Sequence, residues 1–578
     1  MINILRNPND PRYIFLTTDP ENKQDLEHIA ALEKHMNKIP QYMLLPTFSG
    51  VPEPSVFLDK FKGQDGNYIY YCSAGLWVEI HNFFASKGWP IKEDVIDNQF
   101  KYTPFNLTKA QFKELVESWG LNLTPHDYQL NAAWLILKYN MSLSELATRA
   151  GKTFVFYLVA RAAKEVLGAN KILMIVPSIH LVKQGVKDLQ DYKEYFNSEQ
   201  IWSGGEQVKM ADLTIGTFQS LVRKADPRYK KYDPDFFNDY DVICVDEAHK
   251  SPCKSIKTIL ALESFKRVKI RFGFTGTLPK PNTIEWLACQ AILGPKIQEI
   301  GSRMLIEEGF LADPIIKQFR IKYDPKSLQD IEIKASEYLL SSYVLEGGNK
   351  VLLPADQREF TMIHKKRLPT ALIDAKRLYE PDEYLKFMKK MLAGSSRTLN
   401  MEQLVTMFSK PRLELMDNII KNLNKNIIVF AHNVEYIKYL EAHFKTMFPE
   451  KTIYRITGAT TLKKRQAILN EMLDLNNCIL IGGYGVISTG LTMRNIDYAI
   501  FAQSFKSDSL TRQSIGRGLI CTEDKTKFFI YDIMDEYPTG KLHNQAVEKI
   551  KTYKQQKFEY SIEKIGPVPF GIVESLQV

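Results

Sequence analysis

Two series of short β-branched and apolar runs, each alternating with helical patterns, constrain this chain more than any other feature. The first series comprises residues 171–176, 213–218, 241–245 and 270–275, and the second 426–430, 453–456, 478–481, 498–502 and 527–531. Strand-length runs separated by helix-length segments imply βαβ units and parallel sheets covered by helices. The rhythm predicts an α/β chain with two sheet domains in tandem. Its 578 residues exceed what one hydrophobic core supports, and 44% hydrophobic with 25% charged residues excludes a largely disordered or fibrous chain.

The rest of the organisation follows from where that rhythm is absent. Residues 1–115 read as a small α+β accessory unit, a possible DNA-binding domain, with a strand-like stretch at 67–71 and an amphipathic one from Trp77 to Lys87. The first sheet domain is placed at 116–312 and the second at 313–540. A charged, irregular insertion is expected at 325–410, containing His364, Lys365, Lys366 and Arg367. Residues 541–578 are basic and aromatic (Lys549, Lys551, Tyr553, Lys554, Lys557, Phe558, Tyr560) and predict a packed helical tail. The net charge of +9 fits a polyanionic partner, although it is spread over a long chain. Six cysteines, Cys72, Cys244, Cys253, Cys289, Cys478 and Cys521, form no CxxC pair, so neither a disulfide framework nor a zinc knuckle is indicated. No apolar run approaches the roughly 20 residues needed to span a bilayer, and the N-terminus has no secretory pattern. The expectation is a cytoplasmic protein without a membrane partner.

The chemistry concentrates in two words. Ala147-Thr148-Arg149-Ala150-Gly151-Lys152-Thr153 precedes an apolar helical stretch, which puts the amides of a turn at a helix N-terminus, where phosphate oxygens are bound. Lys152 would reach the β and γ phosphates as a point charge, and the Thr153 hydroxyl would ligate Mg²⁺. The full GxxxxGK[ST] pattern is not met, because Leu146 stands where its first glycine belongs. The run at 241–245 ends in Asp246-Glu247-Ala248-His249, a strand tip with two carboxylates. Asp246 would orient Mg²⁺ through its water shell, and Glu247 would polarise the attacking water. The two words together indicate an ATP-hydrolysing site. Upstream, Tyr128 and Gln129 open a helical stretch, where an aromatic face and an amide suit adenine; a plain helix cap is the competing reading.

The order of these words resembles the motifs of superfamily 2 helicases. Tyr128-Gln129, Gly151-Lys152-Thr153, residues 177–184, Gly216-Thr217-Phe218-Gln219-Ser220, Asp246-Glu247-Ala248-His249 and Thr275-Gly276-Thr277 look like motifs Q, I, Ia, Ib, II and III. Residues 426–432, Gly458 with Arg465, Ser488-Thr489-Gly490 and Gln513-Ser514-Ile515-Gly516-Arg517 look like the motifs of the second half. The resemblance spans residues 120–540, and its finer features are most similar to the UvsW-type helicases of bacteriophages.

That resemblance implies two tandem RecA-like parallel-sheet domains behind a small N-terminal α+β domain, in a monomer acting on branched or single-stranded DNA, in the host cytoplasm if phage-encoded. It implies nucleotide contacts from Tyr128, Gln129, Thr148, Arg149, Ala150, Gly151, Lys152, Thr153 and Gly490, with ATP and Mg²⁺ as cofactors and Thr153 and Asp246 as the metal ligands. Lys152, Asp246, Glu247, Gln513 and Arg517 would carry catalysis, with Arg517 as an arginine finger on the γ-phosphate. Nucleic acid would be held through its phosphates by Ser178, Thr217, Gln219, Thr457, Ser488 and Thr489, although such loop hydroxyls also serve as turn caps. One departure stands out: Ile520 occupies the place of the second arginine of motif VI. Rival readings are an RNA-directed or restriction-type motor and a nucleotide-gated nucleic-acid-binding protein with weak ATPase.

Overall fold

The computed structural model describes residues 2–7, 10–40, 43, 55–64, 66–93, 102–201, 211–330, 332–333, 343–346, 349–352, 380–381, 383, 406–407, 409–487, 495–503, 508–522, 525–536 and 541–569. The chain forms two compact units, Met1–Gly301 and Ser302–Val578.

In the first unit, five strands form the N-terminal sheet: β1 (Ile2–Arg6), β2 (Tyr13–Thr17), β3 (Leu58–Lys62), β4 (Tyr68–Ser73) and β5 (Ile91–Glu93), in the order β3-β4-β2-β1-β5. All its pairings are antiparallel except β1 with β5. Alternation sets its buried face. Ile2, Ile4, Ile14 and Leu16 point inward against Ile29 and Leu32 of the helix Lys23–Met36 and against Ile80 and Phe84 of the helix Trp77–Lys87. Trp77 packs against this core, as does Leu287 of the helix Ile284–Leu293, so the sheet and the following domain share apolar contacts. Arg12 adds a polar tie by donating to the carbonyls of Ala261 and Leu262, each at 2.9 Å.

The second sheet of this unit has seven strands, all parallel: β6 (Met141–Leu146), β7 (Lys171–Val176), β8 (Ser198–Ile201), β9 (Leu213–Thr217), β10 (Tyr240–Asp246), β11 (Ile270–Thr275) and β12 (Lys296–Ile300). Their order is β12-β6-β11-β10-β7-β9-β8. The strands expected from the sequence are all present. The central β10 is flanked by β7 and β11, which places its C-terminal Asp246 in the middle of the sheet's carboxyl edge.

The second unit repeats the plan. Strand β13 (Asp313–Tyr323) is followed by an isolated antiparallel pair, β14 (Tyr343–Glu346) and β15 (Asn349–Leu352). The remaining strands are β16 (Ile427–Ala431), β17 (Thr452–Ile456), β18 (Cys478–Gly483), β19 (Tyr498–Phe501), β20 (Lys527–Asp535) and β21 (Glu559–Val568). Seven of them form an all-parallel sheet in the order β17-β18-β16-β19-β20-β13-β21. Most of the expected 325–410 insertion lies outside the described residues.

Two expectations are corrected. The compact units divide at Gly301 and Ser302, not at 312, because residues 311 and 312 are stitched to the second unit: Leu311 bridges Ile520, and the Ala312 amide donates to the Leu519 carbonyl at 2.9 Å. The tail is not wholly helical either. After the helix Lys541–Gln555 it returns as β21, whose unpaired backbone groups are satisfied by β13. Lys549 and Tyr553, in that helix, are buried, as packing predicted. Among the described residues no helix is long and apolar enough to cross a membrane.

Candidate functional site

The turn between β6 and the helix Lys152–Leu167 is shaped by two left-handed residues, Arg149 (φ 75°) and Gly151 (φ 74°). Such a turn directs successive amides inward and makes a cradle for anions at the helix N-terminus. Gly151 is required twice over: its φ disfavours a side chain, and a Cβ there would sit 2.3 Å from Gln129 Nε2.

Gln129 is buried, and its amide braces this turn. Its Oε1 accepts from the His126 amide at 3.0 Å, its Nε2 donates to the Ala150 carbonyl at 3.2 Å, and the Tyr128 hydroxyl donates to the same carbonyl at 3.3 Å. The helix-cap reading is therefore realised, and the amide face expected to meet adenine is engaged with the protein. Tyr128 also stacks on His126, with ring centroids 5.6 Å apart.

Asp246 ends β10, and Glu247 follows at φ 53°, a strained conformation for a non-glycine residue. The Glu247 amide donates to Asp246 Oδ1 at 2.9 Å. Burial first, and then the charge of Glu247, push the Asp246 carboxyl above the usual carboxylate range, against the opposing pull of Lys152. Glu247 Oε2 is buried without a hydrogen-bond partner, and the His249 ring lies beside it, with Nδ1 at 3.4 Å. Two crowded carboxylates, one with an unsatisfied oxygen, present hard oxygen donors. With Thr153 in the first turn of the adjoining helix, they would suit a small divalent cation.

The loop after β11 closes on both elements. Lys152 Nζ and Thr148 Oγ1 each lie 3.6 Å from where a Cβ on Gly276 would stand, so a small residue there lets the loops approach. His249 Nδ1 lies 2.9 Å from Thr275 Oγ1, and this hydroxyl in turn donates to the Thr277 carbonyl at 2.9 Å, which leaves His249 as the donor. Burial holds the His249 pKa down. Residue type alone marks neither His249 nor Thr275 as a site residue; the signal in the sequence is that His249 closes one motif and Thr275 opens the next.

The proposed nucleic-acid residues are differently placed. The Ser178 hydroxyl accepts from the Leu181 amide at 3.4 Å as a helix cap, and the buried Thr217 donates its hydroxyl to Ser220 Oγ at 3.0 Å. The cap reading is realised for Ser178, whereas Thr217 stands at the N-cap of its helix with its hydroxyl on a neighbouring side chain. Gln219 is exposed, 3.5 Å from the Pro177 carbonyl, linking the loops after β9 and β7. Thr457 is buried; its carbonyl accepts from Arg465 at 3.1 Å. Ser488, Thr489 and Gly490 lie outside the described residues.

In the second unit, Gln513 and Arg517 sit one turn apart on the helix Asp508–Gly518. Thr511, Ser514, Ile515 and Gly518 are buried, so Gln513 and Arg517, each half-buried, lie toward its other face. Gly518 packs under Phe528, where a Cβ would come within 2.1 Å of the ring. Ile520 is committed to its backbone bridge with Leu311.

The two parallel-sheet units are of RecA type, one with a phosphate cradle and strand-tip carboxylates, and each contains a segment that resembles the ATP-hydrolysing helicases of superfamily 2. The family model described as type III restriction enzyme, res subunit, matches residues 122–280, and the helicase conserved C-terminal domain matches residues 411–519. The chain is 22% identical to the ATP-dependent DNA helicase uvsW of Enterobacteria phage T4, over 85% of this chain and 88% of that protein. It is 24% identical to the putative ATP-dependent helicase IRC3 of Saccharomyces cerevisiae, over 75% of this chain and 54% of that one. The crystal structure of T4 UvsW superposes with a TM-score of 0.42 at 17% identity, covering 98% of this chain and all of that one.

Proposed function

We propose that this chain is a monomeric, Mg²⁺-dependent DNA helicase or translocase that works on branched or forked DNA in replication, recombination or repair. The observation that carries the ATP-driven part is the junction of the Gly151 cradle, Lys152 and the crowded Asp246 and Glu247 on one sheet edge. In this reading the cradle amides and Lys152 hold the phosphates, while Thr153 and Asp246 hold the metal, which would neutralise phosphate charge when bound. Glu247, with its unpartnered oxygen, accepts the proton of the attacking water. Arg517 supplies the cation from the second domain, and Gln513 on the same helix face assists it. The link of His249 to Thr275 ties the carboxylate loop to the strand beside it. DNA as the activating polymer is supported by the T4 relative, a DNA helicase by name.

The deciding experiment compares ATP turnover with single-stranded DNA, forked DNA, a four-way junction and RNA. The expected order puts forked and junction DNA first. Equal stimulation by single strands and junctions would remove the branch preference, and stronger stimulation by RNA would remove DNA. The match to a restriction-enzyme motor subunit supports a second reading, translocation on duplex DNA; it predicts full stimulation by unbranched duplex. Arg517→Ala should lower turnover by about 10³–10⁵ with ATP affinity nearly kept. A fall under about tenfold would mean that another cation does the work and that Arg517 is structural.

A further inference from the structure

We infer that the turn after the helix Phe218–Ala225 is a second DNA-backbone contact, one that grips the duplex portion of the substrate; the inference rests on the DNA-motor reading above. Residues 227–232 read Pro-Arg-Tyr-Lys-Lys-Tyr and are all exposed, Tyr229 by 44% and Tyr232 by 43%.

The turn is held in shape. The buried Asp226 carboxylate accepts from the Arg228 amide at 3.0 Å and from its Nε at 2.9 Å. The Tyr229 amide donates to the Asp226 carbonyl, and the Asp233 amide to the Lys224 carbonyl at 2.9 Å. An ordered turn therefore presents Lys230, Lys231 and two phenols to solvent, an arrangement that costs little entropy to hold against a ligand.

The surroundings extend the same charge. The helix Lys254–Leu260 packs on Phe218–Ala225 through Leu221, Val222, Ala225, Ile256, Ile259 and Leu260, which leaves Arg223, Lys254 and Lys257 exposed beside the turn. Of the acids flanking the turn, Asp226 is held by Arg228 and Asp233 by Lys224 at 3.3 Å, and the exposed Asp235 accepts from the Asn238 side-chain amide at 3.0 Å. A cluster of cations with interleaved phenols matches a phosphate backbone, since lysines neutralise phosphates and tyrosine hydroxyls hydrogen-bond to them without reading sequence. The helix of eight residues carries the chain about 12 Å from Thr217, so this surface adds to the strand-tip loops rather than repeating them.

The test uses the full chain and a fluorescein-labelled duplex, with anisotropy read across a series of KCl concentrations. Lys230→Glu/Lys231→Glu leaves the Asp226–Arg228 clasp intact. It should weaken binding at least tenfold and flatten the log–log salt slope by about 2, while ATP turnover without DNA stays at the wild-type level. Tyr229→Phe/Tyr232→Phe should weaken binding severalfold without changing the slope. Unchanged affinity and slope in the lysine variant, with wild-type protein binding duplex normally, would overturn this inference alone. Wild-type protein that binds no DNA would overturn the DNA-motor reading and this inference together.

Discussion

Acids near the C-terminal ends of parallel strands meet opposite fates in the two units. In the first, Asp246 and Glu247 crowd each other at the end of β10; one oxygen is left unsatisfied, and the Asp246 pKa rises by burial. In the second, Asp532 and Asp535 near the end of β20 are fully buried yet fully paired. Arg412 contacts Asp535 at 2.6 Å and also donates to the Ala502 and Ile533 carbonyls, while Tyr323 donates to Asp535 at 2.5 Å. Lys549 contacts Asp532 at 2.6 Å, with Tyr553 and Gln318 each donating to it at 3.0 Å. The same architecture thus sets strand-end carboxylates in two ways: crowded and short of partners in the first unit, and saturated with partners that fasten neighbouring elements together in the second.

Substitution separates the two uses. Glu247→Gln should cut ATP turnover by about 10²–10⁴ while leaving thermal stability unchanged or raised, because it removes a like charge from Asp246. A steady-state assay beside a melting curve checks both halves, and a stability loss with activity retained would reverse the comparison. Arg412→Met should do the opposite. It leaves Asp535 buried without its cation and costs about 3–5 kcal/mol in the second unit, read as a lower urea midpoint, with ATP affinity of the first unit unchanged. Restoring the midpoint with Arg412→Met/Asp535→Leu would show that the pair fastens rather than catalyses.

How legible this was depended on range. The apolar strands announced themselves because central parallel strands are buried on both faces. β6 did not: it reads Met-Ser-Leu-Ser-Glu-Leu, and its buried Ser144 is tolerated because Gln298 donates to it at 2.8 Å. β13 and β21 carry charges and become strands through each other and β20. Within the site, the Gly151 turn and the two carboxylates were readable because each is a local word. The bracing of Ala150 by Gln129 and the contact of His249 with Thr275 were not, since each joins residues that only the fold brings together. The hydrogen bonds of the Ser178 and Thr217 hydroxyls are local by contrast, each joining residues three apart.

The smallest expected effect tests how far the saturated region tolerates a proton. His432 follows β16; its amide donates to Gln503 Oε1 at 2.7 Å, and its ring lies 4.7 Å from that of Tyr484. Burial, and then the charge of Lys549, push its pKa down to about 4. An unfolded histidine titrates near 6.5, so between these values the unfolded chain binds the extra proton, and stability falls as pH drops through that window. At pH 5 the loss should be about 1–2 kcal/mol relative to pH 7. It should appear as a lower urea midpoint of the second unit and be reduced in His432→Asn. If the variant loses as much as wild type, the proton goes elsewhere. If Lys549→Met removes the loss while His432→Asn does not, the acid-sensitive element is the Asp532 cluster, and saturation there is less complete than its geometry implies.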